Sequence, residues 1–190
     1  MKVEDPKRNL KIFDRMLKQG ITLSPREQFY YARELYYNNK YYEAISQFNH
    51  FLDTKEGWIE NNIEACLNIA KCYQALDAKE NILPSLFRSF QYDVPRAEIC
   101  CEIGKYFVIE KQYSNAVFWY ELATSCKMNE KSGAFVMVDC YHYIPYMQLC
   151  VCYDRLGRLD LAILYNEKAG AIKPNDNAYL YNKKYFESLK

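Results

Sequence analysis

The sequence contains few of the residues that interrupt helices or carry out catalysis. Glycine and proline number six each among 190 residues, which argues against long irregular segments. Histidine occurs only as His50 and His142, and neither has an identifiable acidic or nucleophilic partner. No motif for binding nucleotide phosphates, and none typical of a serine or metal-dependent hydrolase, is present. We therefore expect a helical chain that is not an enzyme and uses no cofactor.

Two further absences limit where the protein works. No apolar run approaches the roughly 18 residues of a membrane-spanning helix, and the N-terminal MKVEDPKRNL lacks the apolar core of a signal peptide. The 25 basic and 24 acidic residues give a formal net charge of +1. This balance argues against a protein dedicated to nucleic acid or to a membrane surface. Together these features predict a cytoplasmic protein.

Cysteine is plentiful, but its spacing is not that of a metal or redox site. None of the eight cysteines forms a C-x-x-C pair, and paired ligands for zinc are missing. Most of them fall within helical patterns, so we expect reduced thiols that fill small core positions. The adjacent Cys100 and Cys101 point to different helix faces, which predicts that one is buried and the other is exposed or faces a groove.

What the sequence does contain is a repeat. The stretch 148–170, QLCVCYDRLGRLDLAILYNEKAG, has the pattern of two amphipathic helices folded back around a turn at Gly157. Its landmarks are those of a tetratricopeptide (TPR) unit, a helix-turn-helix repeat of 34 residues. If the small residue of the first helix is taken as the reference position, the pattern occurs four times, at Ala32, Ala70, Gly104 and Cys150.

The four repeats agree at five further positions, which lie at −1, +3, +12, +16 and +19 from the reference residue. Small residues there let two helices approach closely, and large ones fill the groove beside them. The landmarks are Tyr31, Ile69, Ile103 and Leu149 at −1; Leu35, Tyr73, Phe107 and Tyr153 at +3; Ala44, Ile82, Ala116 and Ala162 at +12; Phe48, Leu86, Tyr120 and Asn166 at +16; and Phe51, Ser89, Ala123 and Ala169 at +19.

This register predicts an all-α, TPR-type α-solenoid that forms one domain over residues 1–190. The expected elements are an N-terminal helix at 6–19, repeats near 25–53, 58–91, 96–127 and 138–172, and a capping helix at 177–189. Extra residues near 127–138 precede the fourth repeat. Within this insertion we expect a loop at Lys127–Gly133, and we expect Ala134–His142 to lengthen the next helix.

Local signals support the first two helices. Asp5 can cap a helix that has Pro6 in its first turn, and Gly20 is a stop signal at the other end. Ser24, with Glu27 three residues later, has the spacing of a capping box.

Several segments resemble a more specific family. The segments that carry this resemblance are RNLKIFDRML, FYYARELYYNNKYYEAI, QLCVCYDRLG, YNEKAGAIKPN and YLYNKKYF. They are similar to the C-terminal helical region of bacterial family 2 glycosyltransferases that carry TPR repeats. The resemblance runs from about Arg8 to Phe186 and implies a nucleotide-sugar-dependent catalytic domain before the repeats. This sequence has no D-x-D motif of such a domain, so no catalytic residue carries over. Two alternatives stay open: a fragment of a longer enzyme, or a stand-alone relative.

Binding is therefore the predicted activity. The first helix of each repeat lines the concave side of a TPR stack, so its residues that are not needed for packing face the groove. Arg33, Lys71 and Lys105 each follow a reference residue, which predicts a row of cations suited to an acidic or C-terminal carboxylate peptide. The alternative interpretation is a solvated helix face. The candidate site comprises Arg33, Tyr36, Tyr37, Asn68, Lys71, Lys105, Gln148 and Arg155. Other residues expected to face the groove are Phe29, Gln74, Glu98, Cys101, Val108, Met147, Val151 and Asp154.

Two functional classes follow from these observations. The first is an interaction module that binds a peptide or a protein, either as a stand-alone adaptor or as a scaffold that associates with itself as a homodimer. The second is an accessory module that positions the acceptor for a glycosyltransferase catalytic domain in the same chain.

Overall fold

Helices account for nearly all of the regular structure. A computed structural model describes residues 7–128, 133 and 135–189, and no β-strand occurs in this part of the chain. Short 3-10 turns lie at Lys79–Asn81, Ser89–Gln91 and Val138–Tyr141. The α-helices are α1 (Arg8–Lys18), α2 (Pro25–Tyr37), α3 (Tyr41–Thr54), α4 (Ile59–Ala75), α5 (Ile82–Arg88), α6 (Ala97–Ile109), α7 (Tyr113–Ser125), α8 (Tyr143–Arg155), α9 (Leu159–Ile172) and α10 (Asn177–Ser188).

The helices form two compact halves, Met1–Asp93 and Val94–Lys190. In the N-terminal half, α2 packs on α3 and α4 packs on α5, and α3 joins the two pairs by packing on α4. The C-terminal half repeats this arrangement with α6 on α7, α8 on α9, and α7 on α8. Helix α10 packs on α9, so it covers the apolar side that the last pair would otherwise expose.

The landmark positions of the repeat form the core of both halves. None of the reference residues or their five sets of companions is exposed, as the register predicts. The third repeat shows why the reference residue is small, because a Cβ atom added to Gly104 would lie 2.8 Å from the ring of Tyr120. The smallest reference residue thus faces the bulkiest residue found at the +16 position, and their combined volume fills the space between α6 and α7.

Each repeat turns between its helices at the same place. The residue at +7 from the reference has a left-handed backbone in all four repeats, with φ of +60° at Asn39, +56° at Asp77, +57° at Lys111 and +73° at Gly157. The next backbone N–H donates to the carbonyl at +3 over 2.8–3.0 Å. This hydrogen bond satisfies a carbonyl at the end of the first helix, as in common C-terminal capping motifs.

The helix signals are confirmed where the structure describes them. Ser24 and Glu27 form a reciprocal capping box. Helix α1 ends at Lys18, and Gly20 then adopts a left-handed φ of +75°. The predicted cap at Asp5 and Pro6 lies outside the described residues.

The predicted helical extension before the fourth repeat is wrong. Residues 135–137 are irregular, a 3-10 turn follows, and His142 breaks the backbone with φ −145° and ψ −67° ahead of α8. The physical reason is Pro145, which has no N–H to donate and whose ring would clash with the Tyr141 carbonyl in a longer helix. Proline is tolerated only in the first turn, so it fixes the start of α8. Of the predicted loop, Lys127, Met128 and Gly133 are non-helical, and residues 129–132 lie outside the described residues.

Candidate functional site

The first helices of the first two repeats, α2 and α4, contact each other in the N-terminal half. Spacings of three and four residues place Tyr30, Arg33 and Tyr37 on one side of α2, and Asn61, Glu64 and Asn68 on one side of α4. The Arg33 guanidinium joins the two helices, because its Nη1 lies 3.8 Å from Glu64 Oε1. We call these six residues the α2–α4 face.

Arg33 is held mainly by aromatic rings. Its guanidinium carbon lies 4.4 Å from the centroid of the Tyr30 ring and 5.9 Å from that of Tyr37. Such contacts fix a cation over aromatic faces while leaving its N–H groups available for hydrogen bonds. Arg33 Nε is buried and has no hydrogen-bond acceptor within the described part of the chain.

Asn68 presents a second unpaired donor on the same face. Its side chain is 5% exposed, and its Nδ2 finds no acceptor among the described residues. Only three buried side-chain atoms in this part of the chain lack a partner, and the third is Gln28 Oε1, whose own amide nitrogen donates to Leu23. Buried donors are nearly always paired in folded proteins. Two unpaired donors on one face are therefore unusual, and an outside acceptor would reach them after a side-chain movement, because both atoms are shielded from solvent.

A cleft opens at the end of this face where α2 and α4 begin. Its volume is about 510 Å³, and its floor includes Asn61, which is 8% exposed. Trp58, 50% exposed, supplies a free aromatic surface. The residues that line the cleft are Ser24, Pro25, Arg26, Tyr30, Glu56, Trp58 and Asn61. Aromatic surface beside amide, guanidinium and carboxylate groups is typical of sites that bind an amphipathic segment.

The candidate residues of the N-terminal half occupy different environments. Tyr37 is 62% exposed, whereas the Tyr36 ring lies between those of Tyr37 and Tyr41, with centroids 5.5 and 6.2 Å away. Lys71 is half-buried on α4, one turn beyond Asn68. The prediction that Phe29 faces the groove is wrong. Phe29 is 1% exposed and packs against Phe48 and Phe51 in the core.

The remaining candidates lie in the C-terminal half. Lys105 is exposed and pairs with Glu102 over 3.4 Å. Gln148 is half-buried on α8, and Arg155 is exposed at its last residue. The structure therefore brings Arg33 and Asn68 onto one face, while the row of cations across three repeats stays a prediction.

In the C-terminal half, a segment of the chain itself lies over part of α6, the first helix of the third repeat. Glu98 Oε1 accepts the Met137 backbone N–H at 3.0 Å, and Glu98 Oε2 accepts the Tyr141 hydroxyl at 3.2 Å. Burial and this contact with Glu98 raise the pKa of Tyr141. We call residues 135–141 the covering segment, because it places backbone and side-chain donors on the carboxylate of α6.

The covering segment also explains a wrong prediction about Cys100 and Cys101. Both are buried, although they point to different sides of α6. Cys101 is covered because its Sγ donates to the carbonyl of Cys140, 3.4 Å away. Val151 of α8 is exposed, and its place in the groove stays a prediction.

Sequence reasoning missed four residues of this region: Tyr30, Trp58, Asn61 and Glu64. Three of them were detectable, because Tyr30 lies three residues before Arg33, and Glu64 and Asn61 lie four and seven before Asn68. The same helical spacing that selected Arg33 and Asn68 selects these neighbours. Trp58 belongs to the connection before α4, where spacing gives no information.

Two features are absent from the described residues. No group of three or more His, Cys, Asp or Glu side chains in the described part is placed to hold a metal ion. None of the helices there has the length and apolar character needed to cross a membrane.

Comparison with known proteins supports the fold. No family model matches the sequence, and no curated protein is similar to it. Among solved structures, MamA is 21% identical, with 75% of this chain and 74% of that chain covered and a TM-score of 0.59. PilW, a widely conserved type IV pilus biogenesis factor, is 17% identical, with 87% and 69% covered and a TM-score of 0.65. PilF of Pseudomonas aeruginosa is 16% identical, with 88% and 67% covered and a TM-score of 0.59. These likenesses confirm an all-α fold of the TPR type.

Proposed function

We propose that this chain is a non-catalytic protein-interaction module that binds an extended peptide or protein segment on the α2–α4 face. The observation that carries the proposal is the pair of unpaired donors, Arg33 Nε and Asn68 Nδ2. The groups that satisfy such donors in proteins are carbonyl and carboxylate oxygens. An extended segment supplies carbonyl oxygens at regular intervals along its backbone.

The charges near this face favour a weakly acidic or neutral ligand. Arg33 and Lys71 contribute two positive charges, and Glu64 offsets one of them at 3.8 Å from Arg33. A ligand with one carboxylate complements this balance, whereas a strongly acidic tail meets Glu64 and Glu56 as well. The exposed rings of Tyr37 and Trp58 provide apolar surface for the ligand's side chains.

The covering segment of the C-terminal half supports this mode of binding. There, irregular residues followed by a 3-10 turn lie on α6, and they are fixed by the Met137 backbone N–H and by the side chains of Tyr141 and Cys101. On α6, Glu98 is a hydrogen-bond acceptor, whereas Arg33 and Asn68 of the α2–α4 face are donors. A ligand that lies on it would use its carbonyl groups instead of its N–H groups.

The test is a selection of binding peptides from a random library, followed by titration of the best peptide. We expect the paired change Arg33→Ala with Asn68→Leu to weaken binding by about tenfold to a hundredfold, since each lost hydrogen bond contributes roughly 1 kcal/mol or more. The matched control is Lys105→Ala with Arg155→Ala in the C-terminal half, which should leave affinity unchanged. Melting curves verify that all variants are folded. Affinity that falls only in the control pair would overturn the assignment of the face.

A second candidate rests on the resemblance to family 2 glycosyltransferases that carry TPR repeats. In this proposal the same face positions an acceptor protein for a catalytic domain in a longer chain. The gene sequence upstream of Met1 tests it directly. An open frame that encodes a nucleotide-sugar domain with a D-x-D motif supports the proposal, and an in-frame stop codon contradicts it.

A further inference from the structure

The cleft at the start of α2 and α4 has an unpaired amide at its floor. Asn61 is 8% exposed, lines the cleft, and its side chain has no hydrogen-bond partner in the described part of the chain. Unlike Asn68 Nδ2, the polar atoms of the Asn61 side chain are not shielded from solvent. The neighbouring Asn62 is equally buried, but its Nδ2 donates to the Gly57 carbonyl at 3.3 Å. Because buried amides are normally paired, the Asn61 amide is available to a group that enters the cleft.

The walls of the cleft include aromatic and apolar side chains. Trp58 is 50% exposed, and Pro25 begins α2. The Tyr30 ring is held by two cations, since the guanidinium carbons of Arg26 and Arg33 lie 5.6 and 4.4 Å from its centroid. Rings that are fixed in this way offer a flat surface, which favours a flat side chain of the ligand.

Two opposite charges border the cleft. Arg26 and Glu56 both line it, both are exposed, and neither forms an ion pair within the described residues. A carboxylate in the cleft would be attracted by Arg26 and repelled by Glu56, and a cation would meet the reverse. The two charges therefore offset each other, which favours an uncharged group.

We propose that the cleft binds a tyrosine side chain of the ligand, which anchors the segment that lies on the α2–α4 face. The ring stacks on Trp58. The hydroxyl both donates and accepts, as the Asn61 amide does. Phenylalanine would leave that amide unpaired. The volume of about 510 Å³ is in the range of pockets that enclose organic ligands. This inference rests on the proposed function, because it names a residue that the ligand carries.

The position of the cleft along α4 predicts where the tyrosine lies in the ligand. Asn61 and Asn68 are seven residues apart on this helix, which corresponds to about 10 Å along its axis. An extended segment advances about 3.3 Å per residue. The tyrosine should therefore lie about three residues from the carbonyl group that reaches Asn68.

The experiment selects binding peptides from a random decapeptide library on the wild-type chain. We expect tyrosine to be enriched at one position of the selected peptides. The best peptide and a version with phenylalanine in place of that tyrosine are then titrated by calorimetry. The phenylalanine version should bind about fivefold to tenfold more weakly, since it lacks one hydrogen bond.

Variants of the chain identify the partner of the hydroxyl. In Asn61→Ala, the two peptides should bind with equal affinity, because the hydroxyl has lost its partner. The matched control is Asn68→Ala, on the same helix and similarly buried. It should weaken both peptides and keep the ratio between them. Trp58→Ala changes a half-exposed residue and should weaken the tyrosine peptide by about tenfold, which provides a second test if Asn61→Ala does not fold. Melting curves verify the fold of each variant.

Three results would overturn the inference. They are equal binding of the two peptides to the wild-type chain, a ratio that persists in Asn61→Ala, and selected peptides that carry arginine or lysine at the anchor and lose affinity in Glu56→Gln.

The same titrations separate this inference from the proposed function. Affinity that falls in the pair Arg33→Ala with Asn68→Leu supports the proposed function. If affinity is then unchanged in Asn61→Ala and Trp58→Ala, the tyrosine anchor is refuted and the proposed function stands. The reverse pattern would refute the role of the α2–α4 donors and leave the cleft as the binding site.

Discussion

The two halves of this protein use the same repeat register and leave opposite kinds of inner face. On the α2–α4 face, Arg33 and Asn68 carry buried donors without acceptors. On α6, the acidic side chain of Glu98 is already occupied by Met137 and Tyr141 of the same chain. The packing landmarks are common to both halves, so they do not determine this difference. It depends on whether the chain itself supplies the partner groups.

The physical consequence is a difference in what each half can gain by binding. If the polar groups of a face already form hydrogen bonds within the protein, a ligand must break those hydrogen bonds to bind. The net gain in binding free energy is then small. A face with unpaired donors gains hydrogen bonds that the free protein lacks. This difference supports the proposal that the ligand site lies in the N-terminal half and that the covering segment has a structural role in the C-terminal half.

The largest expected effect comes from removing the acceptor that holds the covering segment. Glu98→Ala leaves the hydroxyl of the buried Tyr141 without its acceptor, which we expect to destabilise the C-terminal half by about 1–3 kcal/mol. The Met137 N–H adds little to this cost, because Met137 is exposed and water can replace the carboxylate. The counterpart in the N-terminal half is Glu64→Ala, which removes one ion pair at 3.8 Å between partly exposed groups. That change should cost less than about 1 kcal/mol.

Urea unfolding monitored separately in each half measures both changes. Equal costs for Glu98→Ala and Glu64→Ala would mean that the covering segment contributes no more than a surface ion pair. The comparison between a covered and an open face would then fail.

A smaller effect distinguishes two buried asparagines. Asn166 is 1% exposed, and its Nδ2 donates to the carbonyl of Tyr179 over 3.3 Å, so Asn166→Leu should destabilise by about 1–2 kcal/mol. Asn68 is buried to a similar extent with an unpaired Nδ2. Asn68→Leu should therefore be neutral or stabilise by up to about 1 kcal/mol, because it removes a buried donor that has no acceptor.

Thermal melting of the two single variants decides this point. A large loss of stability in Asn68→Leu would show that the Asn68 side chain is already paired in the free protein and needs no acceptor from a ligand. Stability that is unchanged in Asn166→Leu would show that the hydrogen bond to Tyr179 contributes little.

The repeat could be predicted from the sequence because packing in a helical pair depends on residue size at fixed spacing. Ala44, Ala116 and Ala162 are all fully buried, as their common position requires. The pairing of Gly104 with Tyr120 follows from the same rule. Local caps such as Ser24 with Glu27 were also predictable, since both partners lie within one turn.

The state of each inner face was not predictable from the sequence, because it depends on contacts between distant residues. The insertion has no repeat counterpart, so nothing in the register indicated that Met137 and Tyr141 would reach Glu98 about forty residues earlier. Helical spacing predicted the side of α6 on which Cys101 lies. It gave no information about Cys140, which covers that side. For Arg33 and Asn68, spacing identified the face, and only the structure shows which donors remain unpaired.

The smallest expected effect concerns the turn that all four repeats share at +7. Lys111 and Gly157 occupy this position in the two repeats of the C-terminal half, with φ of +57° and +73°. A side chain with a Cβ atom pays about 1 kcal/mol in this left-handed region, whereas glycine does not. Lys111→Gly should therefore stabilise by about 0.5–1 kcal/mol, and Gly157→Ala should destabilise by about 1 kcal/mol. No neighbouring atom lies within 4 Å of a Cβ added to Gly157, so the backbone alone accounts for the loss. Chemical denaturation measures both changes, and the slope of the unfolding free energy against denaturant concentration should stay the same as in the wild-type chain. If the two substitutions shift stability in the same direction, the turns of these two repeats are not equivalent, and the shared register does not determine the backbone at +7.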